Sequence, residues 1–113
     1  MELTEQGANN VTIVAVAGRL DAAGARQLDE RLTTLIRSGQ SHLLIDASRL
    51  DYIGSVGFRA LLIASRLAAE SRGRLVLCGL TPPVRRVIDL GGFGEILNGY
   101  ASREAAMANF SAG

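Results

Sequence analysis

The run Asp51-Tyr-Ile-Gly-Ser-Val-Gly-Phe-Arg-Ala-Leu-Leu62 places one hydroxyl, that of Ser55, where a loop gives way to an apolar helical stretch. A serine there can cap the helix, hold a phosphate, act as a nucleophile or receive a phosphoryl group. The nucleophile reading needs a base. His42 is the only histidine and opens an apolar strand-like run, so neither a Ser-His-Asp triad nor a histidine-rich metal cluster is indicated. All 12 basic residues are arginines, which rules out the lysine of a Walker A loop.

The remaining polar groups have structural readings beside the chemical ones. Asp21 is either a functional acid or the N-cap of the first helix. Asp46 and Asp51 read as turn-forming residues, since nothing fixes the separation an acid–base pair would need. An aspartyl-phosphate receiver, suggested by Asp46 at a strand end, lacks the lysine which that chemistry uses. Arg59, Arg66 and Arg72 read as a solvated helix face. Cys78 sits in Leu75-Val-Leu-Cys78 as a buried, inert thiol, and a single cysteine suits a reducing compartment. Gly91-Gly-Phe-Gly94 follows a helix and precedes a strand, the reverse of a phosphate cradle, and reads as a helix stop and turn.

The elements that must position Ser55 follow from periodicity. Val11–Ala17 is apolar on both faces, as a central strand is, and a short strand near Glu2–Gln6 pairs with it across Gly7-Ala-Asn-Asn10. Ala25, Leu28, Leu32, Leu35 and Ile36 share one face of a helix closed by Gly39. His42–Ala47 is a buried strand ending at Asp46. A helix from about Ser55 to Ser71 leads to a strand over Arg74–Gly79. Thr81 caps a third helix with Pro82 at its first position, where the missing N–H costs nothing. Glu95–Tyr100 is an edge strand, and Ser102 caps a last, alanine-rich helix.

This order predicts one α/β domain over 1–113, with a largely parallel mixed sheet of four to five strands and about four helices. Sites in such sheets gather beyond the carboxyl ends of the strands, where Asp21, Asp46 and Ser55 are expected. The 113 residues, 48% hydrophobic and with a formal net charge of +1, build an ordinary core and no strongly basic face for nucleic acid. No apolar run nears the roughly 18 residues of a membrane span. The acidic, polar start MELTEQGANN is unlike a secretory signal, so a cytoplasmic protein is expected.

The stretch Leu43–Leu62 resembles the STAS family of anti-sigma factor antagonists: an apolar strand, a short turn, a phosphorylatable serine, a small residue, a glycine and an apolar helix. Gly18-Arg-Leu-Asp21 is similar to the family's glycine-x-leucine-aspartate, and Leu80–Phe93 to its later helix. The resemblance implies a stand-alone STAS fold with Ser55 as phosphoacceptor and a partner surface of Asp21, Gly54, Ser55, Val56, Gly57 and Arg59. It further implies an ATP-dependent anti-sigma factor kinase that binds the unphosphorylated chain and releases it once Ser55 carries phosphate. A serine phosphatase resets the cycle. No catalysis, cofactor, metal or membrane insertion is expected. Two positions depart from the pattern: Gly54 stands where the family has aspartate, and Arg59 where a small residue is usual. The fold also resembles non-phosphorylated STAS subunits bound to the ATPase of lipid-type transporters, which is the alternative function.

Overall fold

The computed structural model describes residues 1–92, 97 and 99–111. Two strands open the chain, β1 (Glu2–Ala8) and β2 (Val11–Leu20), in antiparallel register from Glu2↔Ala17 to Ala8↔Val11. Only Asn9 and Asn10 connect them, with φ of 50° and 66°. This is the twist-matched two-residue hairpin turn, which asparagine tolerates and most side chains do not. The turn is therefore tighter, and β1 longer, than the sequence reading has it.

Helix α1 (Ala22–Arg37), strand β3 (His42–Ile53), helix α2 (Ser55–Glu70) and strand β4 (Arg74–Cys78) follow. They are succeeded by helix α3 (Pro82–Leu90), strand β5 (Gly99–Tyr100) and helix α4 (Arg103–Ser111). The sheet order is β1-β2-β3-β4-β5, and every pairing after the hairpin is parallel. The α/β class and the largely parallel sheet are as expected. Of the edge strand foreseen over Glu95–Tyr100, Gly99–Tyr100 is present; Glu95, Ile96 and Asn98 lie outside the described residues. The same holds for Phe93 and Gly94 of the glycine-rich turn, while Gly91 does end α3.

Strand residues alternate between two cores. Val14, Val16, Leu43, Ile45, Leu75 and Leu77 meet α1, α2 and α3, including Leu28, Leu32, Leu61, Val84 and Ile88. Val11, Ile13, Leu44, Val76 and Cys78 meet α4 at Ala106, with Met107 and Phe110 beside it. Burial on both faces is why these strands read as unbroken apolar runs. The face predicted for α1 is the buried one.

One boundary is corrected. Strand β3 does not end at Asp46 but runs on to Ile53, so Asp46 and Asp51 lie within a strand. Two register shifts against β2 hide the continuation: Ala15 faces Asp46 but Ala17 faces Arg49, and Gly18 faces Leu50 but Arg19 faces Tyr52. Each shift re-aims the following side chains. Only Leu50 and Ile53 are buried beyond Ala47, and Ser48, Arg49, Asp51 and Tyr52 stay exposed. A polar stretch with every third residue buried does not read as a strand.

Candidate functional site around Ser55

The lengthened β3 carries Ser55 to the carboxyl end of the sheet. Leu20, the last residue of β2, pairs with Ile53, the last of β3, and the Leu20 carbonyl accepts the Gly54 N–H at 3.1 Å. The two connections that leave these strands, one starting with Asp21 and the other with Gly54 and Ser55, emerge side by side. Asp46 is corrected out of this place: its Oδ1 accepts the Ser48 N–H at 3.0 Å and its Oδ2 the Arg103 Nε–H at 2.6 Å, tying β3 to α4.

Ser55 is the first residue of α2, and the N-cap is Gly54, in extended backbone at φ −99°, ψ 175°. Of the readings open to Ser55, the helix cap is excluded, because the cap lies one position earlier. The Phe58 N–H, which a capping oxygen at position 55 would meet, goes to the Gly54 carbonyl at 3.0 Å. Among the described residues the exposed Ser55 hydroxyl makes no hydrogen bond. It is a free group at a fixed place.

That place is held from below by Gly57. A Cβ there would sit 2.6 Å from Leu20 Cγ and 2.7 Å from the Leu20 carbonyl oxygen, so only glycine lets the first turn of α2 press onto the end of β2. Val56, 51% exposed, points outward beside Ser55, and Arg59 is exposed one turn further along. Val56, Arg59 and Ile63 of α2 face Ala22, Arg26 and Asp29 of α1 across a shallow groove.

Asp21 is the N-cap of α1, its Oδ1 accepting the Gly24 N–H at 3.0 Å. That bond is the chief reason its carboxyl stays below the usual range; desolvation opposes it, and Arg19 adds a smaller pull in the same direction. The six residues of the anticipated surface thus come together at one end of the sheet. His42 starts β3 at the other end, edge-on to Phe110 with ring centroids 5.8 Å apart.

Two features escaped the sequence. Arg103 reaches Asp46 from 57 residues away, and nothing local announces it. The Arg19 guanidinium carbon lies 4.2 Å from the Tyr52 ring centroid. These residues are direct register partners, but only once both β3 irregularities are counted. Among the described residues no helix is long and apolar enough to cross a membrane.

Comparison with known proteins agrees with this geometry. The STAS domain model matches residues 2–106. BtrV of Bordetella bronchiseptica, named as a candidate anti-sigma factor antagonist, is 37% identical over 110 residues, covering 97% of this chain and 95% of its own. A candidate anti-sigma factor antagonist of Thermotoga maritima superposes with a TM-score of 0.90 at 18% identity, over 95% and 92% of the two chains. The Bacillus anti-sigma factor antagonist SpoIIAA superposes in its unphosphorylated form with a TM-score of 0.85 at 22% identity, over 98% and 97%. Its phosphorylated form gives 0.75, over 96% and 99%. With a family model spanning nearly its whole length and a relative of that identity end to end, the chain belongs to the STAS domain family.

Proposed function

We propose that this protein is an anti-sigma factor antagonist working by phosphorylation-controlled partner switching. Unmodified, it docks an ATP-dependent anti-sigma factor kinase on the surface formed by Asp21, Gly54, Ser55, Val56, Gly57 and Arg59, and frees the sigma factor. The kinase then moves the γ-phosphoryl group of ATP to Ser55 Oγ. An O–P bond forms at serine, the bond to ADP breaks, and the hydroxyl proton passes to a base of the kinase. The dianion ejects the partner, and a serine phosphatase restores the hydroxyl.

The observation that carries this reading is the Ser55 hydroxyl: exposed, without a hydrogen-bond partner among the described residues, and fixed at the first position of α2 beside Asp21. Phosphoryl transfer asks little of an acceptor except position and access, because metal and base come with the kinase. Asp21 is already committed to the Gly24 N–H and serves as a contact, not as a base. The names of BtrV and SpoIIAA support the same role.

Incubation with the kinase and ATP, followed by intact-mass and peptide analysis, should find one phosphate, on Ser55, and none on Ser55→Ala. Phosphate mainly on Ser48, Ser65 or Ser71 refutes the assignment. Capture of a transporter ATPase by the unphosphorylatable chain, with no kinase bound, supports the transporter-subunit reading instead.

A further inference from the structure

Tyr52, two residues before the N-cap of α2, lies over the Gly54 backbone. A Cβ at position 54 would meet the Tyr52 hydroxyl at 3.0 Å and the ring carbons Cε2 and Cζ at 3.4 and 3.5 Å. Tyr52 is 40% exposed, and the Arg19 guanidinium carbon lies over its ring, 4.2 Å from the centroid. Arg19, Tyr52 and Gly54 therefore form one shelf at the N-cap that leads into Ser55, and a larger residue at 54 would push on the ring.

We infer that the Arg19–Tyr52 shelf, with Gly54 as its clearance, is a specificity determinant for the protein that docks on Ser55, and that it receives a carboxylate of that partner. The inference rests on the function proposed above. A guanidinium over a ring spends none of its N–H donors on hydrogen bonds to it, and a carboxylate fits a free pair of those donors with two parallel hydrogen bonds. Among the described residues the Arg19 guanidinium makes no hydrogen bond or ion pair. The nearby acid Asp21, close enough to feel its charge, turns Oδ1 to Gly24.

The shelf also holds its donor in place before binding. Ordering a long, mobile arginine at an interface costs conformational entropy, and the Tyr52 ring has already reduced that cost. A partner with an acid opposite Arg19 gains the bond. One with a basic residue there is repelled, so the shelf discriminates as well as attracts.

The test uses the full chain, ATP and the anti-sigma factor kinases of the source genome, and reads KM, kcat and Tm for phosphorylation of Ser55. Arg19→Ala should raise KM about tenfold, the scale of a well-placed interface arginine, with kcat and Tm unchanged. Arg19→Glu should raise it further. Tyr52→Phe keeps the ring and should behave as wild type, whereas Tyr52→Ala should match Arg19→Ala and add nothing when combined with it. Gly54→Ala should raise KM when Tyr52 is present and have no further effect in Tyr52→Ala.

The inference is overturned if Arg19→Ala and Arg19→Glu leave KM unchanged, if the Arg19 and Tyr52 effects multiply independently, or if KM rises only where Tm falls. A wild-type chain that takes no phosphate from any of these kinases refutes the proposed function and this inference together. A phosphorylated wild type with an indifferent Arg19 refutes the inference alone.

Discussion

Leu20 and Gly57 are packed so closely that a single added carbon on the glycine would fall 2.7 Å from the leucine carbonyl oxygen. That oxygen is fixed, because it also accepts the Gly54 N–H. One backbone carbonyl at the end of β2 thus sets both the N-cap and the first turn of α2, and with them the position of Ser55.

Gly57→Ala should therefore destabilise the protein, although alanine favours helix by about 1 kcal/mol over glycine. The obstacle is a paired carbonyl and a fully buried leucine, neither of which can yield, and overpacking of this kind costs about 1–3 kcal/mol. Urea denaturation should show a lower midpoint at unchanged slope. A midpoint at or above that of the wild type would mean that α2 can lift away from β2 without strain.

Asp21 combines a cap and a charge, and two substitutions separate them. Asp21→Asn keeps an oxygen for the Gly24 N–H and should melt close to wild type, whereas Asp21→Ala should melt lower. The carboxyl is held below its ordinary value of 3.8, chiefly by that N–H. A depressed carboxylate stabilises above its unfolded pKa, so the contribution is full above about pH 4 and fades as pH falls through the lower folded value. The acid limb of the Tm–pH profile should be shallower in Asp21→Asn. Identical limbs would show that the charge contributes nothing to folding.

The tie between Asp46 and Arg103 holds α4, whose buried contact is otherwise small: Ala106, with Met107 and Phe110 half-buried. Desolvation acts on Asp46 most strongly and raises its pKa, yet the Ser48 N–H, Arg103 and the Ser48 hydroxyl together bring it below 3.8. The sign is again that of a depressed carboxylate, with stability present above about pH 4 and lost below it. Asp46→Ala should speed amide exchange across Ala105–Phe110 while leaving α1 and α2 protected. Uniform protection in the variant would show that α4 is held without this tie, by its apolar contacts and the Asn109 bonds to Arg74 and Tyr100.

What the sequence made legible was whatever depends on neighbours in the chain. The apolar face of α1, the Pro82 start of α3 and the Asp21 cap are local, and the structure has them where periodicity and capping chemistry put them. Thr81 is a half case: it occupies the N-cap, but its hydroxyl donates to the Leu50 carbonyl at 3.2 Å instead of capping the helix. The second half of β3 was not legible, because two register shifts remove its alternation. With β3 read as ending at Asp46, that residue reads as a turn former and the Arg19–Tyr52 pairing cannot be counted out.

Cys78 offers a check on the sheet interior. It is 1% exposed, and burial, followed by the nearby Asp46 charge, raises its thiol pKa to about 11. A raised thiol pKa stabilises fully below the unfolded value of 9.0, and that contribution is lost as pH climbs from there through about 11. At pH 8 a disulfide-exchange reagent should modify Cys78 at the rate of unfolding in native buffer and at once in denaturant. Rapid modification of the native chain would show that α4 opens readily over β4.

Phosphate on Ser55 should act at the surface and leave the fold intact. The hydroxyl is exposed and, among the described residues, makes no hydrogen bond that a phosphate would break. A phosphoserine brings roughly −1.5 to −2 charges to the first turn of a helix, where backbone N–H groups without helical acceptors and the positive end of the dipole favour an anion. Gly54 supplies no side-chain oxygen to compete for those groups. Arg59, four residues along the same helix, adds a screened attraction. For a bound kinase the balance reverses, since the dianion enters a contact fitted to a hydroxyl and loses water there. Driving the complex from nearly full to nearly empty takes about 5.5 kcal/mol of differential affinity. Steric exclusion and a desolvated, unpaired charge supply energies of that order. Thermal melts should therefore give an equal or higher Tm for the phosphorylated chain, while calorimetric titration with the kinase shows affinity reduced about 10⁴-fold. A lower Tm with loss of far-ultraviolet helical signal would place the switch in partial unfolding of α2.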